Sequence, residues 1–356
     1  MTPFVAPEAL ARRAGLKSLL RLGANESAFG PSPRALAAMA AELGRTAWYG
    51  DPESLDLREA LAARHRCDVD EITVGAGIDD LLGLAVRTYC SPGSVAVMTR
   101  GSYPTFAFHV AGYGAALEAV PAGEAGAIDA AGLIAAARRT GAAILYVANP
   151  DNPSGSFTDA ATIARLRSEL PSATMIVLDE AYADFVDARS LPPPAVDAGV
   201  IRMRTFSKAY GMAGARIAYA IASREGTAAF QKVRLHFGVN RTAQIGALAS
   251  LGDDAFVRHV VDEVARGRAD YMRLAHAHGL RAHPSSTNFV CIEIGSRERA
   301  DRMVDALLRL GVFVRKPGAP PIDGCIRVTV GTAAERERFA ERFAEALASV
   351  SEKAAT

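Results

Sequence analysis

Lysine is scarce in this chain. Of its 40 basic residues only five are lysines: Lys17, Lys208, Lys232, Lys316 and Lys353. The skew toward arginine is compositional, but it narrows the amines able to carry chemistry to those five. Net charge is lacking too. A formal +1 excludes a strong field toward nucleic acid or an anionic membrane face. Cys67, Cys90, Cys291 and Cys325 show no C-x-x-C spacing and read as isolated reduced thiols. The seven histidines do not cluster, and His276 and His278, two apart, would face different sides of a helix, so no metal site is expected. No apolar run reaches membrane-spanning length, and the opening MTPFVAPEALARRAG lacks a long apolar core. A soluble, cytoplasmic protein is expected. A dinucleotide fingerprint is also missing, because Asp80 stands where Gly75-Ala76-Gly77 would need a third glycine.

What is present is half hydrophobic, ample for a packed core, and long enough for two domains. Residues 1–40 read as an arm with a short helix, PRALAAMAAEL. SLDLREALAARHR is an amphipathic helix with Ser54 as its N-cap. β-rich segments then alternate with helical ones: EITVGAG, SVAVMTR, AAILYVANP, TMIVLDEAY, VIRMRTFSK and ARIAYAIAS are the expected strands. That alternation predicts an α/β fold, a mostly parallel sheet covered by helices on both faces. A long helical region from about Thr227 to Gly279, broken near Gly238 and Gly252, precedes three short strands and a closing helix. These predict a smaller α+β domain. The expected division is an arm at 1–40, a large domain at 41–240 and a C-terminal small domain at 241–356.

In an open α/β sheet, ligands bind at the carboxyl ends of the strands. The polar residues of interest fall there. Gly75-Ala76-Gly77 is either a tight βα turn or, with Thr205, Ser207 and Arg216, an anion cradle at a helix N-terminus. Asp179 follows the apolar run MIVL, and a buried carboxylate needs a partner. That partner is a backbone cap, an arginine, or a protonated ring nitrogen, which would make the ring an electron sink. Tyr182 and Asn152 are placed to bond an oxygen on such a ring, and Tyr103 to stack on its face or to fill core. A lysine near a strand end is ordinarily a solvated surface residue. Beside Asp179 and an anion cradle, Lys208 gains another role, since a lysine amine can lose its proton and form an imine and an arginine cannot.

These motifs, in order, are GANESAFGPSP, WYGDPES, VGAGIDDLL, ANPDNPSG, VLDEAYADF, RTFSKAYGMAGAR and CIRVTVGT. Over nearly the whole chain they resemble the fold-type-I, pyridoxal-phosphate-dependent aminotransferases of class I/II, and most of all the histidinol-phosphate aminotransferase branch. The resemblance implies a seven-stranded sheet, pyridoxal 5'-phosphate as cofactor, and a homodimer with shared sites. It implies that Lys208 carries the cofactor covalently and that Asp179 pairs with the pyridine nitrogen. Asn152 and Tyr182 would meet the ring oxygen. Backbone N–H groups at Ala76, Gly77 and Ile78, with Thr205, Ser207 and Arg216, would hold the phosphate. Tyr103 would stack on the ring, and Tyr49 would reach the neighbouring subunit's phosphate. Arg327 would clamp the substrate α-carboxylate, with Asn25 and Asn152 beside the substrate.

The sequence departs from the family at Gly23 and Ser27-Ala28 in the arm, mildly in NPDNPSG, and at Arg241. Arg241 either favours an acidic or phosphorylated substrate or bridges helices. The rival readings are an aromatic amino-acid aminotransferase, a relative that decarboxylates an amino-acid phosphate, and a non-catalytic α/β ligand-binding module. A dinucleotide-dependent dehydrogenase is weaker still, for want of the glycine fingerprint.

Overall fold

The computed structural model describes residues 5–192 and 196–352, with the side chains of 351 and 352 outside the description. Lys353 and the first four residues of the arm lie outside the described residues. The chain opens with α1 (Pro7–Arg13), β1 (Leu20–Arg21), α2 (Pro33–Glu42) and α3 (Leu55–His65). The alternating part follows: β2 (Ile72–Gly75), α4 (Ile78–Tyr89), β3 (Val95–Thr99), α5 (Pro104–Gly112), β4 (Ala116–Val120), α6 (Ala130–Thr140) and β5 (Ile144–Ala148). It continues with α7 (Ala160–Glu169), β6 (Met175–Asp179), β7 (Val200–Thr205), β8 (Ala218–Ile221) and α8 (Arg224–Gln231). The last part holds α9 (Arg241–Leu251), α10 (Asp254–Ala277), β9 (Phe289–Glu293), α11 (Arg297–Arg309), β10 (Val312–Phe313), β11 (Cys325–Thr329) and α12 (Ala333–Glu352).

The main sheet has seven strands in the order β2-β8-β7-β6-β5-β3-β4. All its strands run parallel except β8, which is antiparallel to both neighbours. Six of the seven were expected. The seventh, β4, is an alanine-rich edge strand exposed over its first two residues, so it carries neither the β-branched content nor the burial of its neighbours.

Alternation along the strands divides the core. Val97, Leu145, Val147, Ile176 and Leu178 pack under α6 and α7. Ala96, Met98, Ile144, Tyr146, Val177 and Met203 pack under α4, α5 and α8. Both faces are apolar because both are covered, as a parallel sheet requires. A third cluster joins the β2–β8 edge to α9, α10, β9, β11 and α12.

Ser54 does not cap α3 as expected. It sits in the left-handed region (φ 51), and no cap bond forms from its side chain. Asp51 acts instead, its carboxylate accepting from the N–H of Leu55 at 2.6 Å and of Glu53 at 3.0 Å. The helical stretch begins at Arg224, three residues before the expected start, because Ser223 caps it there.

Two long-range joins close the molecule over the sheet. β1 pairs in parallel with β10, tying the arm to the C-terminal part. The loop after Lys208 packs on the arm's GPSP turn: Gly211 (φ +70) lies so close that a Cβ would fall 1.9 Å from the carbonyl oxygen of Gly30. Both the backbone conformation and the space exclude a side chain. Gly211→Ala is therefore expected to destabilise the protein by about 2 kcal/mol or more. Urea unfolding checks this, and a change under about 0.5 kcal/mol would contradict it.

Candidate active site

The carboxyl ends of β2, β5, β6 and β7 all point to one rim. A cavity of about 220 Å³ opens there, lined by Ile78 and Asp79 after β2, Ala148 at the end of β5, Asp179 at the end of β6 and Thr205 at the end of β7. Lys208 and Ser207 enter from the loop after β7, with Tyr182 from the turn after β6 and Asn152 from the turn after β5. A wider vestibule of about 560 Å³ shares Asp79, Tyr103, Asn152 and Lys208 and adds Asn25, Arg315 and Arg327.

Asp179 is almost wholly buried. Tyr146 donates its O–H to Asp179 Oδ2 at 2.8 Å, and the Ala181 N–H donates to Oδ1 at 3.0 Å. Burial pushes its carboxyl up to about 6, against the pull of those two donors. Lys208 donates from Nζ to the Asn25 carbonyl at 3.1 Å and lies 5.6 Å from the centre of the Tyr182 ring. Burial, aided by the Arg327 guanidinium, lowers its amine to about 8. Both groups are thus moved toward their neutral forms, the lysine by exclusion from water and a nearby cation, the aspartate by exclusion from water.

Arg327 comes from β11 of the C-terminal part. Its Nη1 donates to Asn152 Oδ1 and its Nη2 to the Gly23 carbonyl at 2.9 Å. Its Nε is buried without a hydrogen-bond partner. Burial pulls this guanidinium below its ordinary value. A buried cation with a donor to spare fits an anion better than it fits packing.

Asn25 was expected beside the substrate. It borders the vestibule, but its side chain is already engaged within the protein. Asn25 (φ 55) donates from Nδ2 to the Tyr182 oxygen at 2.9 Å and accepts at Oδ1 from the Thr329 hydroxyl at 3.1 Å. Its carbonyl accepts from both Lys208 and Asn288. The structure therefore makes it the joint between the arm, Tyr182, Lys208 and β11.

The anion cradle is also altered. The Ala76 N–H donates to Asp80 Oδ2 and the Gly77 N–H to the Gly75 carbonyl, each at 2.9 Å, so these two amides are engaged within the turn. Ile78 opens α4 on the cavity wall. Ser207 donates from its N–H to Thr205 Oγ1 at 3.0 Å, and the two hydroxyls lie 2.9 Å apart. Arg216, in the left-handed region, lines the same wall 3.6 Å from Asp79. Tyr103 donates its O–H to Asp79 Oδ1 at 2.8 Å.

Tyr49 lies outside its own chain's cavity. It is 76% exposed, its ring tilted against Phe237 at 4.5 Å. Arg241 lines neither cavity. It pairs with Glu42 and donates to the Tyr49 carbonyl, which is the bridging alternative raised from the sequence. Sequence reasoning missed Tyr146, Asp79 and Arg315. Tyr146 carried a signal, since a phenol in the middle of a fully buried strand needs a partner for its O–H.

The residues can be tested against the cofactor that the motifs imply. An amine lowered toward neutrality, a buried carboxylate one strand over, hydroxyls and an arginine after β7, and a guanidinium with its buried Nε unsatisfied match an aldehyde-bearing pyridinium phosphate and an anionic substrate. They fit.

The comparisons agree. The family model "Aminotransferase class I and II" matches residues 17–343. The chain belongs to the class I and II aminotransferases, the pyridoxal-phosphate-dependent fold-type-I enzymes that its motifs resemble. Within that family, a histidinol-phosphate aminotransferase of Roseiflexus castenholzii is 37% identical, covering 93% of this chain and 91% of the relative. The crystal structure of histidinol-phosphate aminotransferase from Sinorhizobium meliloti, in complex with pyridoxal-5'-phosphate, is 42% identical with a TM-score of 0.95, covering 98% of this chain and 96% of that one. An L-threonine-O-3-phosphate decarboxylase from Porphyromonas gingivalis shares the fold at 20% identity, TM-score 0.78, covering 92% of this chain and 99% of that one.

The lysine shift has a stability consequence. Its folded value, about 8, lies below the ordinary 10.5. Between those pH values the unfolded chain binds a proton that the folded one does not, so this group's contribution to stability rises as pH rises. Cofactor-free Lys208→Met should be more stable than the parent below pH 8, by up to about 3 kcal/mol. The gap should close toward pH 10.5. Urea unfolding across that range measures it, and a gap independent of pH would contradict the assigned shift.

Proposed function

We propose that this chain is a cytoplasmic, homodimeric aminotransferase that takes the amino group of L-histidinol phosphate and passes it to 2-oxoglutarate. The observation that carries the reading is the depressed Lys208 amine shared by two adjoining spaces, the cavity that holds the buried Asp179 carboxylate and the vestibule that holds the partly unsatisfied Arg327 guanidinium. In this reading residues 41–240 are the cofactor-binding domain, and residues 241–356 with the arm form the smaller one. Support for that division comes from the seven-stranded sheet falling within 72–221 and from the β1–β10 pairing.

Pyridoxal phosphate, when bound, supplies an aldehyde that condenses with amines and a ring that draws electrons from the substrate's Cα. Lys208 would hold it covalently, and Asp179, ionised, would keep the ring nitrogen protonated. Asn152 and Tyr182 would bond the ring oxygen, and Tyr103 would cover a ring face. Thr205, Ser207, Arg216 and the Ile78 N–H at the start of α4 would take the phosphate, with Tyr49 of the partner subunit completing that end.

The chain's own residues then do the following. Arg327 orients the donor by its acidic group. In histidinol phosphate, a phosphate ester on the side of Cα where an amino acid carries its carboxylate takes that role. Arg315, on the same vestibule wall, gives such a dianion a second guanidinium. Lys208 Nζ, once the substrate amine has displaced it, is neutral enough near pH 8 to take the proton from Cα. Its hydrogen bond to the Asn25 carbonyl keeps the amine near its place between transfers. The 2-oxo acid reuses the Arg327 fork in the second half of the reaction.

A half-reaction screen tests this. Holoenzyme is mixed with single donors, and the visible band of the bound cofactor is followed. Histidinol phosphate should bleach it faster than glutamate, aromatic amino acids or threonine phosphate, without release of CO2. Lys208→Ala should show no bleaching. Asp179→Asn should slow it by about 10²–10³-fold, the scale of losing one preorganised electrostatic partner. Preference for an aromatic donor, or CO2 from threonine phosphate, would replace the proposed substrate, and a colourless protein would overturn the reading entirely.

A further inference from the structure

Arg241 is a departure in the sequence that lines neither the cavity nor the vestibule. It is the first residue of α9, and its guanidinium points away from the site to the strap Tyr49-Gly50-Asp51. Nη1 meets Glu42 Oε2 at 3.2 Å at the end of α2, and Nη2 donates to the Tyr49 carbonyl at 3.3 Å. Glu42 is itself largely covered, 13% of its side chain exposed, so the pair is not an open surface contact.

The strap is held at two further points. Gln244, one turn along α9, donates from Nε2 to the Asp51 carbonyl at 3.0 Å. Gly50 lies so close to α9 that a Cβ there would fall 2.8 Å from Gln244 Nε2 and 3.2 Å from the Arg241 backbone nitrogen. The Asp51 carboxylate in turn caps α3. The backbone from the Tyr49 carbonyl to Asp51 is therefore fixed to α9 and α3, and through Arg241 to Glu42 of α2, while the Tyr49 side chain stands out with its ring tilted against the exposed Phe237. A rigid backbone carrying an exposed phenol reaches outward at low entropic cost.

We infer that Arg241 is the positioning residue for Tyr49: its fork, one arm on Glu42 and the other on the Tyr49 carbonyl, presents that tyrosine to the cofactor phosphate of the other subunit. The inference rests on the cross-subunit reading of Tyr49 given above. It makes Arg241 act on the site of the neighbouring chain and not on its own. Lysine cannot replace it, because a single ammonium does not provide the planar two-armed contact.

Mixed dimers with one competent site test this. In the first, a chain carrying both Lys208→Ala and Arg241→Ala is paired with an unmodified chain, so the competent site borrows Tyr49 from the chain lacking Arg241. In the second, a Lys208→Ala chain is paired with an Arg241→Ala chain, so the competent site borrows Tyr49 from a chain with Arg241 intact. Each dimer is diluted into a scavenger of free pyridoxal phosphate and sampled over time. Borohydride then fixes what remains to Lys208, and the mass label is counted. The first dimer should lose cofactor about five- to tenfold faster than the second, the factor one hydrogen bond is worth. The second should match a dimer without the arginine substitution. Arg241→Lys in the first arrangement should behave like Arg241→Ala. Equal rates in the two dimers, or a defect only in the second, would overturn the inference, since a merely structural role weakens both alike. Tyr49→Phe in the first arrangement separates the two claims. If it too leaves the rate unchanged, the cross-subunit reading fails. If it accelerates loss while Arg241→Ala does not, only the role of Arg241 fails.

Discussion

The site depends on keeping one amine short of water and close to a cation. Lys208 in solution would be protonated and inert as a nucleophile at neutral pH. Burial and the Arg327 guanidinium bring its pKa to about 8, where a useful fraction is neutral. Neither effect is available from the lysine's own segment. Arg327 is on β11, and the carbonyl that receives the amine's hydrogen bond belongs to Asn25 in the arm. The lowered basicity of one lysine is thus assembled from three remote parts of the chain, and the left-handed Asn25 fastens them together.

Two adjacent carboxylates show how finely the strand end sorts charge. Asp179 and Glu180 are both buried. Asp179 meets a phenol and a backbone N–H and is pushed up to about 6. Glu180 is also penalised by burial, yet Arg204 and Arg202 outweigh it and hold it below its ordinary value. Arg202 Nη2 reaches Glu180 at 2.7 Å and Arg204 Nε at 3.0 Å. Glu180 is therefore a satisfied anion that locks β6 to β7. Asp179 retains capacity for a cationic partner, which suits a residue facing a ligand cavity.

Much of this was legible in the sequence. The alternation of β-rich and helical segments gave six strands of the main sheet, and the polar residues at four strand ends do converge on one cavity. That works because a parallel sheet aligns its carboxyl ends, so order along the chain becomes position on a rim. What escaped had physical reasons. β4 and α6 are alanine-rich, and α6 shows itself mainly by its Asp129 cap, which accepts from Gly132 N–H. Ser54 looked like a cap by residue type, but its left-handed backbone passed the task to Asp51. The arm's role was hidden because contacts across 304 residues, such as Asn25 with Thr329, leave no local pattern. The engaged amides of Ala76 and Gly77 depend on turn geometry that a G-A-G motif does not specify.

The joining of arm to C-terminal part also sets an order on biosynthesis. Leu20 has no strand partner until Val312 exists, and Asn25 cannot be clamped until Thr329 has left the ribosome. The seven-stranded sheet, by contrast, is complete by residue 221. A nascent chain can therefore complete its scaffold while the candidate site stays unfinished until β11 has been made. The early residues of the arm wait, unpaired, for some of the last to be made.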